Sequence, residues 1–323
     1  MGATIIHTGA TAEAKPEVAA AVFQFDTAGN QWAADAILPA YPVDAQEGTI
    51  PIICREDLAL KTDTRRVAGA TYNRGVMRKK DSTYLCVGYG EEEQLPDEER
   101  KRYASSFDAE VAKARLAEFR IRLDREIRVK NLVFNTTTWA GGALYTDYSG
   151  APWDNPASNV IAQLNAACEK VRENTGMRAN ALICGRKAVN NLLANTGILA
   201  RFPAAPAVTR QLLLNNLLNI FEDLQVLIEG KAVYNSALEG AAFAGSDVWN
   251  DDYAMVAVVA RDAADLSAFC LGRTLIWRQM GTENVAIGTY RENQTKSDII
   301  QADFYSDEKV IDAYAGHLMK IDA

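Results

Sequence analysis

The feature that most constrains the fold is a long segment with helical periodicity in the first half of the chain. The pattern predicts a helix from Phe107 to about Phe134, roughly 40 Å long. Ser105 with Asp108 resembles a capping box at its start. We expect so long an element to act as a spine in a chain of this size. The apolar residues are spaced by four, three, four and four positions, as on one buried helix face, at Ala112, Leu116, Phe119, Leu123 and Ile127.

Basic residues crowd the same segment. In a long helix such residues ordinarily form a solvated face, and we predict this for most of them. One side of that face, represented by Arg115 and Arg122, is a candidate for contact with phosphate groups. The full set is Arg115, Arg120, Arg122, Arg125 and Arg128.

The charge of the whole chain argues against tight binding of nucleic acid. The 323 residues carry a formal net charge of -8, and the sequence pI is about 5.0. A protein that grips DNA through one large basic surface has the opposite balance. Any contact with DNA is therefore expected to be loose and local.

The sequence shows neither a membrane-spanning nor a secretory pattern. The longest apolar stretch, Tyr253 to Ala260, is far shorter than the roughly 20 residues that a membrane-spanning helix needs. The first residues lack the basic region and apolar core of a signal peptide. We expect synthesis in the cytoplasm and no membrane partner.

Residues that build catalytic and metal sites are scarce or scattered. The five cysteines show no paired spacing, and the histidines, His7 and His317, lie near opposite ends. The sequence contains neither a phosphate-binding glycine loop nor a nucleophile elbow. The adjacent carboxylates Asp251-Asp252 and Asp307-Glu308 would point to opposite faces of a strand and would not converge. We expect no enzyme activity, no cofactor and no metal.

The N-terminal stretch is predicted to be an extended arm. Trp32 and the run from Leu38 to Pro42 combine isolated apolar residues with prolines, which disfavour a helix. Such an arm cannot bury its own apolar residues. We therefore expect it to lie on another surface.

A hairpin is predicted after the arm. Strand-like residues at Thr71-Tyr72 and at Thr83 to Val87 flank a polar turn from Arg78 to Ser82. An isolated two-stranded hairpin is marginally stable in water, so this one must lean on another surface. The acidic stretch that follows, from Glu91 to Glu99, is predicted to be a solvated hinge.

The second half of the chain predicts a compact mixed α/β unit followed by a strand pair. A helix is expected to begin at Asp154-Asn155-Pro156 and to stop at Gly176. Residues 285–304 are expected to form two long antiparallel strands, and 316–321 a last short strand. The tryptophans are interpreted as packing anchors rather than a stacking platform. The other predicted elements are strands at 181–184, 224–228, 253–259 and 269–277, and helices at 187–194 and 209–221.

Seven stretches resemble one protein family when they are taken in order. They are similar to the arm, E-loop, spine helix, A-domain and returning strands of the major capsid proteins of tailed phages, which have the Hong Kong 97-type fold. The resemblance covers essentially the whole chain. The stretches are LPAYPVDAQEGTIPIICREDL, DTRRVAGATYNRG, REIRVKNLVFNTTTW, NALICGRKAVNNLLAN, VLIEGKAVYNSALEG, VWNDDYAMV and RENQTKSDIIQADFYSDEKVIDAYAGHLMKI.

The resemblance implies an α+β fold that is divided into named parts. These would be an N-terminal arm at 1–58, an E-loop hairpin at 59–104, a P-domain with the spine helix at 105–152, an A-domain at 153–280, returning P-domain strands at 281–311 and a C-terminal strand in the A-domain at 312–323.

The resemblance also implies a structural function. Copies of the chain would assemble into hexamers and pentamers of an icosahedral or related prolate phage head, with the virion as the final location. The inner face, with Arg115 and Arg122 as candidates, would meet packaged double-stranded DNA without sequence specificity. Scaffolding, portal and decoration proteins are further expected partners. The arm and hairpin residues expected to contact neighbouring subunits are Trp32, Tyr41, Arg65, Arg66, Tyr72, Arg74, Arg78, Lys79, Lys80 and Tyr84.

Two departures from the family and two alternatives bear on this interpretation. A long N-terminal scaffolding region, which some members carry, is not seen, which implies a separate scaffold or none. Lys61, Lys79 and Lys80 could serve a covalent cross-link, but we favour none. The alternatives are an encapsulin-like nanocompartment shell and, from another class, a cytosolic α/β enzyme built on residues 153–277.

Overall fold

The computed structural model describes residues 13–14, 32–53, 64–66, 68–69, 71–72, 74–75, 78–103, 109–201, 217–221, 223–238, 240–261, 269–278 and 285–322. The helices in these residues are α1 (Ala34–Ile37), α2 (Asp97–Tyr103), α3 (Ala109–Val133), α4 (Val160–Thr175), α5 (Arg186–Ala194) and α6 (Thr196–Leu199). Short 3-10 helices lie at Leu218–Ile220 and Ala313–Ala315. The strands are β1 (Glu13–Ala14), β2 (Ala40–Val43), β3 (Glu47–Ile53), β4 (Lys79–Leu85), β5 (Val87–Pro96), β6 (Tyr145–Asp147), β7 (Ala181–Gly185), β8 (Val226–Gly230), β9 (Val233–Asn235), β10 (Gly245–Asp247), β11 (Tyr253–Ala257), β12 (Gly272–Trp277), β13 (Ala286–Glu292), β14 (Ser297–Val310) and β15 (Gly316–Lys320).

The spine helix α3 has nearly its predicted length, but the predicted buried face is wrong for its N-terminal half. Leu116 and Phe119 are each 42% exposed, and only Leu123 and Ile127 of the predicted stripe pack against the main core. The helix packs on β5 and β14 through small side chains, which allow the backbones to approach closely. The apolar side chains that it buries are Ala109, Ala114, Ala117, Ile121, Val129 and Val133.

Helix α3 covers one face of a sheet with the strand order β1, β13, β14, β12, β2, in which β5 also pairs with β14. The long strand β14 pairs antiparallel with β13, β5 and β12, so the predicted pair of long strands near the chain end is confirmed. The prediction of a solvated hinge at Glu91 to Glu99 is wrong, because these residues lie in β5 and α2. Arg120 of α3 contacts the carboxylates of both Glu91 and Glu93, which allows an acidic segment to be a strand in this sheet.

The hairpin exists, but its predicted pairing is wrong. Strand β4 pairs antiparallel with β3, in a register that places Glu47 opposite Leu85 and Ile53 opposite Lys79. The expected turn from Arg78 to Ser82 therefore lies almost entirely within β4, and Thr71 and Tyr72 are not in a strand. The alternation of Ile50 and Ile52 with their neighbours in β3 supplies a strand face that the prediction had assigned to the arm.

The arm contains more regular structure than its prolines suggest. Helix α1 ends just before Leu38, the residue that precedes Pro39, as the steric restriction before a proline requires. Strand β2 pairs in parallel with β12 at the edge of the sheet. An edge position is where Pro42 can be accommodated, because its missing N–H is not needed for a ladder.

A second sheet forms the α/β unit, with the strand order β6, β15, β11, β7, β8. The predicted strands at 181–184, 224–228, 253–259 and 316–321 are confirmed within a few residues. Helix α4 stops at Gly176, which adopts a left-handed φ of 74°. The predicted start of this helix at Asp154 is wrong, because Asn159 caps α4. Asn155 instead accepts a hydrogen bond from Ala157 N in a turn that precedes the helix. The predicted helix at 209–221 lies mostly outside the described residues.

Trp139, Trp153 and Trp249 are almost fully buried, as expected for packing anchors. Trp153 donates its indole N–H to Gln163 Oε1 at 2.7 Å. Trp277 is the last residue of β12 and packs edge to face against Tyr305, with 5.4 Å between ring centroids. These side chains therefore contribute to packing at separate places rather than to one stacking surface.

One buried carboxylate connects the arm, the spine helix and the α/β unit. Glu126 of α3 is fully buried. Its Oε1 accepts hydrogen bonds from Ala33 N at 2.9 Å and from Trp249 Nε1 at 2.6 Å. Its Oε2 accepts one from Ala34 N at 2.9 Å, so the carboxylate satisfies N–H groups at the start of α1. Burial raises the pKa of Glu126, while the donated hydrogen bonds act in the opposite direction.

We predict that Glu126→Gln lowers the free energy of unfolding by about 1–3 kcal/mol. An amide has one acceptor oxygen, so its NH2 group must face at least one of the three N–H donors. Chemical denaturation of the full chain measures the effect. The control is Asp124→Asn, which makes the same chemical change two residues away at an exposed surface pair and should cost under about 0.5 kcal/mol. Equal costs for the two variants would contradict the assigned role of Glu126.

A buried histidine connects β15 to the segment around β6. His317 is 1% exposed; its Nδ1 lies 3.1 Å from Ala143 O and its Nε2 lies 2.9 Å from Thr146 Oγ1. A carbonyl oxygen only accepts, so Nδ1 carries the proton and Nε2 accepts from the threonine hydroxyl in the neutral ring. Burial lowers the pKa of His317 below its ordinary value of 6.5.

This lowered pKa predicts a pH dependence of stability. The unfolded chain binds a proton at His317 more readily than the folded chain, so the contribution of the neutral ring is complete above pH 6.5 and declines as the pH falls below it. His317→Gln retains a donor and an acceptor but does not titrate. Between pH 7.5 and pH 5.5 the wild type should lose more stability than this variant, as measured by urea denaturation. Parallel pH profiles would count against the assignment.

Candidate assembly interface

The hairpin of β3 and β4 is little covered by the other described residues of the subunit. The two strands form a sheet of their own. Most β4 side chains are exposed, including the apolar Leu85, which is 54% exposed. A two-stranded ribbon without a packed face gains little stability by itself. It therefore presents a surface that another molecule could cover.

The root of the hairpin is fixed to the first sheet. Leu85 N donates to Asp307 Oδ2 at 3.1 Å, and Lys309 Nζ contacts the carbonyl of Thr83. Cys86 N donates to Gln46 O at 2.8 Å, which closes the base of the ribbon. The hairpin is thus anchored at its root.

The predicted contact residues of the hairpin are brought to its exposed surface. Tyr72 is 78% exposed, and the guanidinium of Arg66 lies 4.2 Å from the centre of its ring. Cation and aromatic ring together form an amphipathic surface of the kind common at protein interfaces. The others that are exposed are Arg65, Arg74, Arg78, Lys79 and Lys80.

Three other predicted contact residues are engaged within their own subunit. Tyr84 donates to Ala45 O at 3.3 Å, and its ring lies across Gly48, where a side chain would meet it at 2.8 Å. The rings of Trp32 and Phe119 lie 5.4 Å apart. Tyr41 lies in β2 opposite Leu275 of β12. The structure therefore does not bring Trp32 and Tyr41 together with the exposed hairpin residues, whereas Tyr84 lies within strand β4 of the hairpin.

The prediction of a solvated arginine face on α3 is wrong for its C-terminal half. Arg125 is 9% exposed and bonds to Asp35 Oδ1 at 2.6 Å and to Thr274 Oγ1 at 3.2 Å. Arg128 holds both carboxylate oxygens of Glu308 at 3.1 Å. Periodicity did not reveal these pairs because the carboxylates come from distant parts of the sequence.

Arg115 and Arg122, the candidates for a DNA-facing surface, are both half-buried. Arg122 Nε donates to Glu118 Oε1 at 2.9 Å on the same helix. Arg122 also lines a small cavity of about 60 Å³ beside Arg125 and Asp35. These contacts partly neutralise Arg122, so its field outside the subunit is weak.

Of the two adjacent carboxylate pairs, one lies in a strand with its side chains on opposite faces, as predicted. The other lies in a turn. Asp307 and Glu308 point to opposite faces of β14, with Asp307 toward the hairpin root and Glu308 toward Arg128. Asp251 precedes β11 and lies 3.5 Å from Lys187 Nζ. Over the part of the chain that the structure describes, no group of three metal-ligating side chains is close enough to hold an ion. None of the described helices is long and apolar enough to cross a membrane.

A second exposed surface lies at the hairpin of β9 and β10 and was not predicted. Leu238 is 86% exposed and Phe243 is 73% exposed. Both lie in the connection between the strands, which pair antiparallel from Val233 to Asp247. The available signal was two large apolar residues in a stretch of small ones, from Ala237 to Ala244, without a periodic partner.

Comparisons with known proteins agree with this geometry. No protein-family model matches the chain. The major capsid protein of Burkholderia phage BcepMu is 24% identical over 200 residues, which cover 62% of this chain and 63% of that protein. The chain thus aligns with less than two thirds of the length of this curated relative.

Solved structures share the fold over nearly the whole chain. A phage-related protein from Bordetella bronchiseptica has a TM-score of 0.71 at 17% identity, covering 96% of this chain and 97% of that one. An encapsulin complex from Synechococcus elongatus has a TM-score of 0.54 at 11% identity, covering 98% and 92%. The capsid of Myoviridae phage XM1 has a TM-score of 0.54 at 10% identity, covering 99% and 96%. This chain therefore has the Hong Kong 97-type α+β capsid fold and resembles the major capsid proteins of tailed phages.

Proposed function

We propose that the chain is the structural subunit of a tailed-phage head, in which copies assemble into hexamers and pentamers of an icosahedral or prolate shell around double-stranded DNA. The observation that carries the proposal is the anchored but uncovered hairpin of β3 and β4 on a subunit with a capsid fold. Covering the hairpin with a neighbouring copy would bury apolar area and favour assembly. Rotational symmetry would then repeat one contact around a closed ring.

We propose that fewer residues contact neighbouring copies than the named parts at 1–58 and 59–104 contain. Residues 32–46 pack on α3 and β12 of their own subunit, and β5 pairs with β14. Among the described residues, the contacts with neighbours are therefore assigned chiefly to the hairpin of β3 and β4. The P-domain, the A-domain and the returning strands, with the boundaries given above, would form the body of the subunit.

The manner of DNA contact is proposed from the charge of the chain. A net charge of -8 and the pairing of Arg122 with Glu118 support loose contact with DNA, without sequence specificity. Scaffolding, portal and decoration proteins are proposed partners as well. Assembly would take place in the host cytoplasm, and the finished protein would be located in the virion.

An encapsulin-like nanocompartment shell is the second candidate, supported by the likeness to the encapsulin complex. Both functions use the same subunit, so the content of the particle distinguishes them. A phage head holds DNA, whereas a nanocompartment holds protein cargo. The match to a phage major capsid protein favours the first.

We predict that the purified full chain forms rings of five or six copies, or closed shells. Sedimentation velocity and negative-stain electron microscopy measure this over a range of concentrations. The physical reason is that a hairpin without a packed face gains burial by association. A single species of 35.3 kDa at every concentration would contradict the proposal and favour the enzyme alternative.

Trypsin should distinguish free from assembled subunits. In the free subunit we expect the first cuts at the exposed basic residues between Arg65 and Lys80, because local opening there costs little burial. Assembled subunits should resist cleavage at these bonds. Mass spectrometry of early fragments identifies the sites, with cleavage after Arg125 of α3 as the buried reference. Equal cleavage in both states would oppose a neighbour contact at the hairpin.

A further inference from the structure

Positive charge is concentrated in the segment that leads into β4. Positions 64–80 contain six arginine or lysine residues and no carboxylate, in a chain with a net charge of -8. All of the described residues in this range are exposed. Such a patch attracts polyanions although the whole chain is acidic, because exposed charges more than about 10 Å away are largely screened at about 0.1 M salt.

An aromatic ring lies among these cations. Tyr72 is 78% exposed, and the guanidinium carbon of Arg66 lies 4.2 Å from the centre of its ring. The guanidinium lies over one face of the ring, and an exposure this high requires the opposite face to be open to solvent. A base of a nucleic acid stacks on such an open face, while a guanidinium beside it pairs with a phosphate group.

Two glycines leave space on either side of Tyr72 along the chain. Gly69 has a left-handed φ of 85°, a conformation that favours glycine. A side chain added at Gly69 or at Gly75 would meet no atom within 4 Å. A bulky ligand therefore has room to lie along the backbone next to the ring.

The positive charge continues onto both faces of the hairpin. Lys79 and Lys80 are the first two residues of β4, and both are exposed. Successive side chains of a strand point to opposite faces, so the two ammonium groups lie on different sides of the ribbon. A flexible chain of phosphates reaches both sides, whereas a stiff duplex reaches one. The arrangement therefore favours a single strand, whose unpaired bases are also free to stack on Tyr72.

We infer that residues 64–80 of the unassembled subunit bind single-stranded nucleic acid without sequence specificity. Phosphate groups would pair with the cations, and one base would stack on Tyr72. This site is distinct from the contact of the inner face with packaged duplex DNA. The restriction to the unassembled subunit rests on the proposed function, since a neighbouring copy that covers the hairpin would occupy the same side chains. The site itself does not rest on it.

Fluorescence anisotropy of the unassembled full chain tests the site, with a short labelled DNA strand, the RNA strand of the same sequence and the DNA duplex as probes. We expect both single strands to bind more tightly than the duplex, and less tightly as salt is added. Each phosphate contact contributes about -0.7 to the slope of log affinity against log salt concentration. A variant with Arg74→Gln, Lys79→Gln and Lys80→Gln should therefore reduce this slope by about 2 and lower the affinity at low salt at least about tenfold.

The role of the ring is tested separately. Tyr72→Ala should weaken binding of the single strands by about fivefold to a hundredfold, because stacking of a base on an aromatic ring is lost. Binding of the duplex and the salt slope should stay unchanged, since neither depends on the ring. Tyr72→Phe keeps the ring and should bind like the wild type.

The control removes the same number of exposed cations elsewhere, with Lys170→Gln, Arg172→Gln and Lys187→Gln, and should bind like the wild type. Thermal unfolding verifies that each variant is folded. The inference is overturned if the wild type binds no single strand at low salt, or if the control loses as much affinity as the hairpin variant. Equal binding by assembled particles would overturn the restriction to the unassembled subunit.

The two proposals fail in different ways. A wild-type chain that assembles but binds no single strand would overturn this inference and leave the proposed function intact. A chain that binds the strands but never assembles would contradict the proposed function alone.

Discussion

The buried carboxylate of Glu126 is the interaction on which the architecture depends most. A single side chain satisfies N–H groups of the arm helix and the indole of the α/β unit while it is itself part of the spine. A buried charge is tolerable only when it is fully hydrogen-bonded, so the three segments must all be in place before its desolvation is compensated. This makes the position of the arm on the spine an all-or-none property. Residues 33–43 of the arm are thereby fixed to their own subunit, and the hairpin root starts from a defined point.

Much of the fold could be predicted from the sequence, because local patterns encode it. The length of the spine helix, the strands of the second sheet and the final strand pair follow from periodicity, and Gly176 marks a helix end through its left-handed backbone. The contact face of the spine could not be predicted from the same pattern. Large apolar residues suggest the buried side, but Ala114 and Ala117 allow closer packing on the sheet, and that tertiary choice leaves Leu116 and Phe119 outside.

The candidate interface was predictable in kind but not in pairing. An isolated two-stranded hairpin is marginally stable in water, and this argument pointed to an element that needs a partner surface. The partner strand of β4 was not predictable, because β3 is separated from it by 25 residues and β-pairing over such a distance leaves no local signal. Long-range ion pairs were not predictable for the same reason. Arg128 looked solvent-facing until Glu308, 180 positions away, was placed beside it.

The distribution of charge separates the subunit into two kinds of surface. Inside the body, arginines of the spine helix form ion pairs with carboxylates of the arm, of β5 and of β14. These charges therefore help to hold the subunit together. The side chains of Arg74, Lys79 and Lys80 on the hairpin are instead exposed. Surface ion pairs contribute little individually, but a set that can form in one relative orientation only selects that orientation. Strong ion pairs would hold the subunit together, whereas weak and numerous ion pairs would join it to its neighbours. A wrong contact between subunits could then break without unfolding the body. It could therefore be corrected before the ring closes.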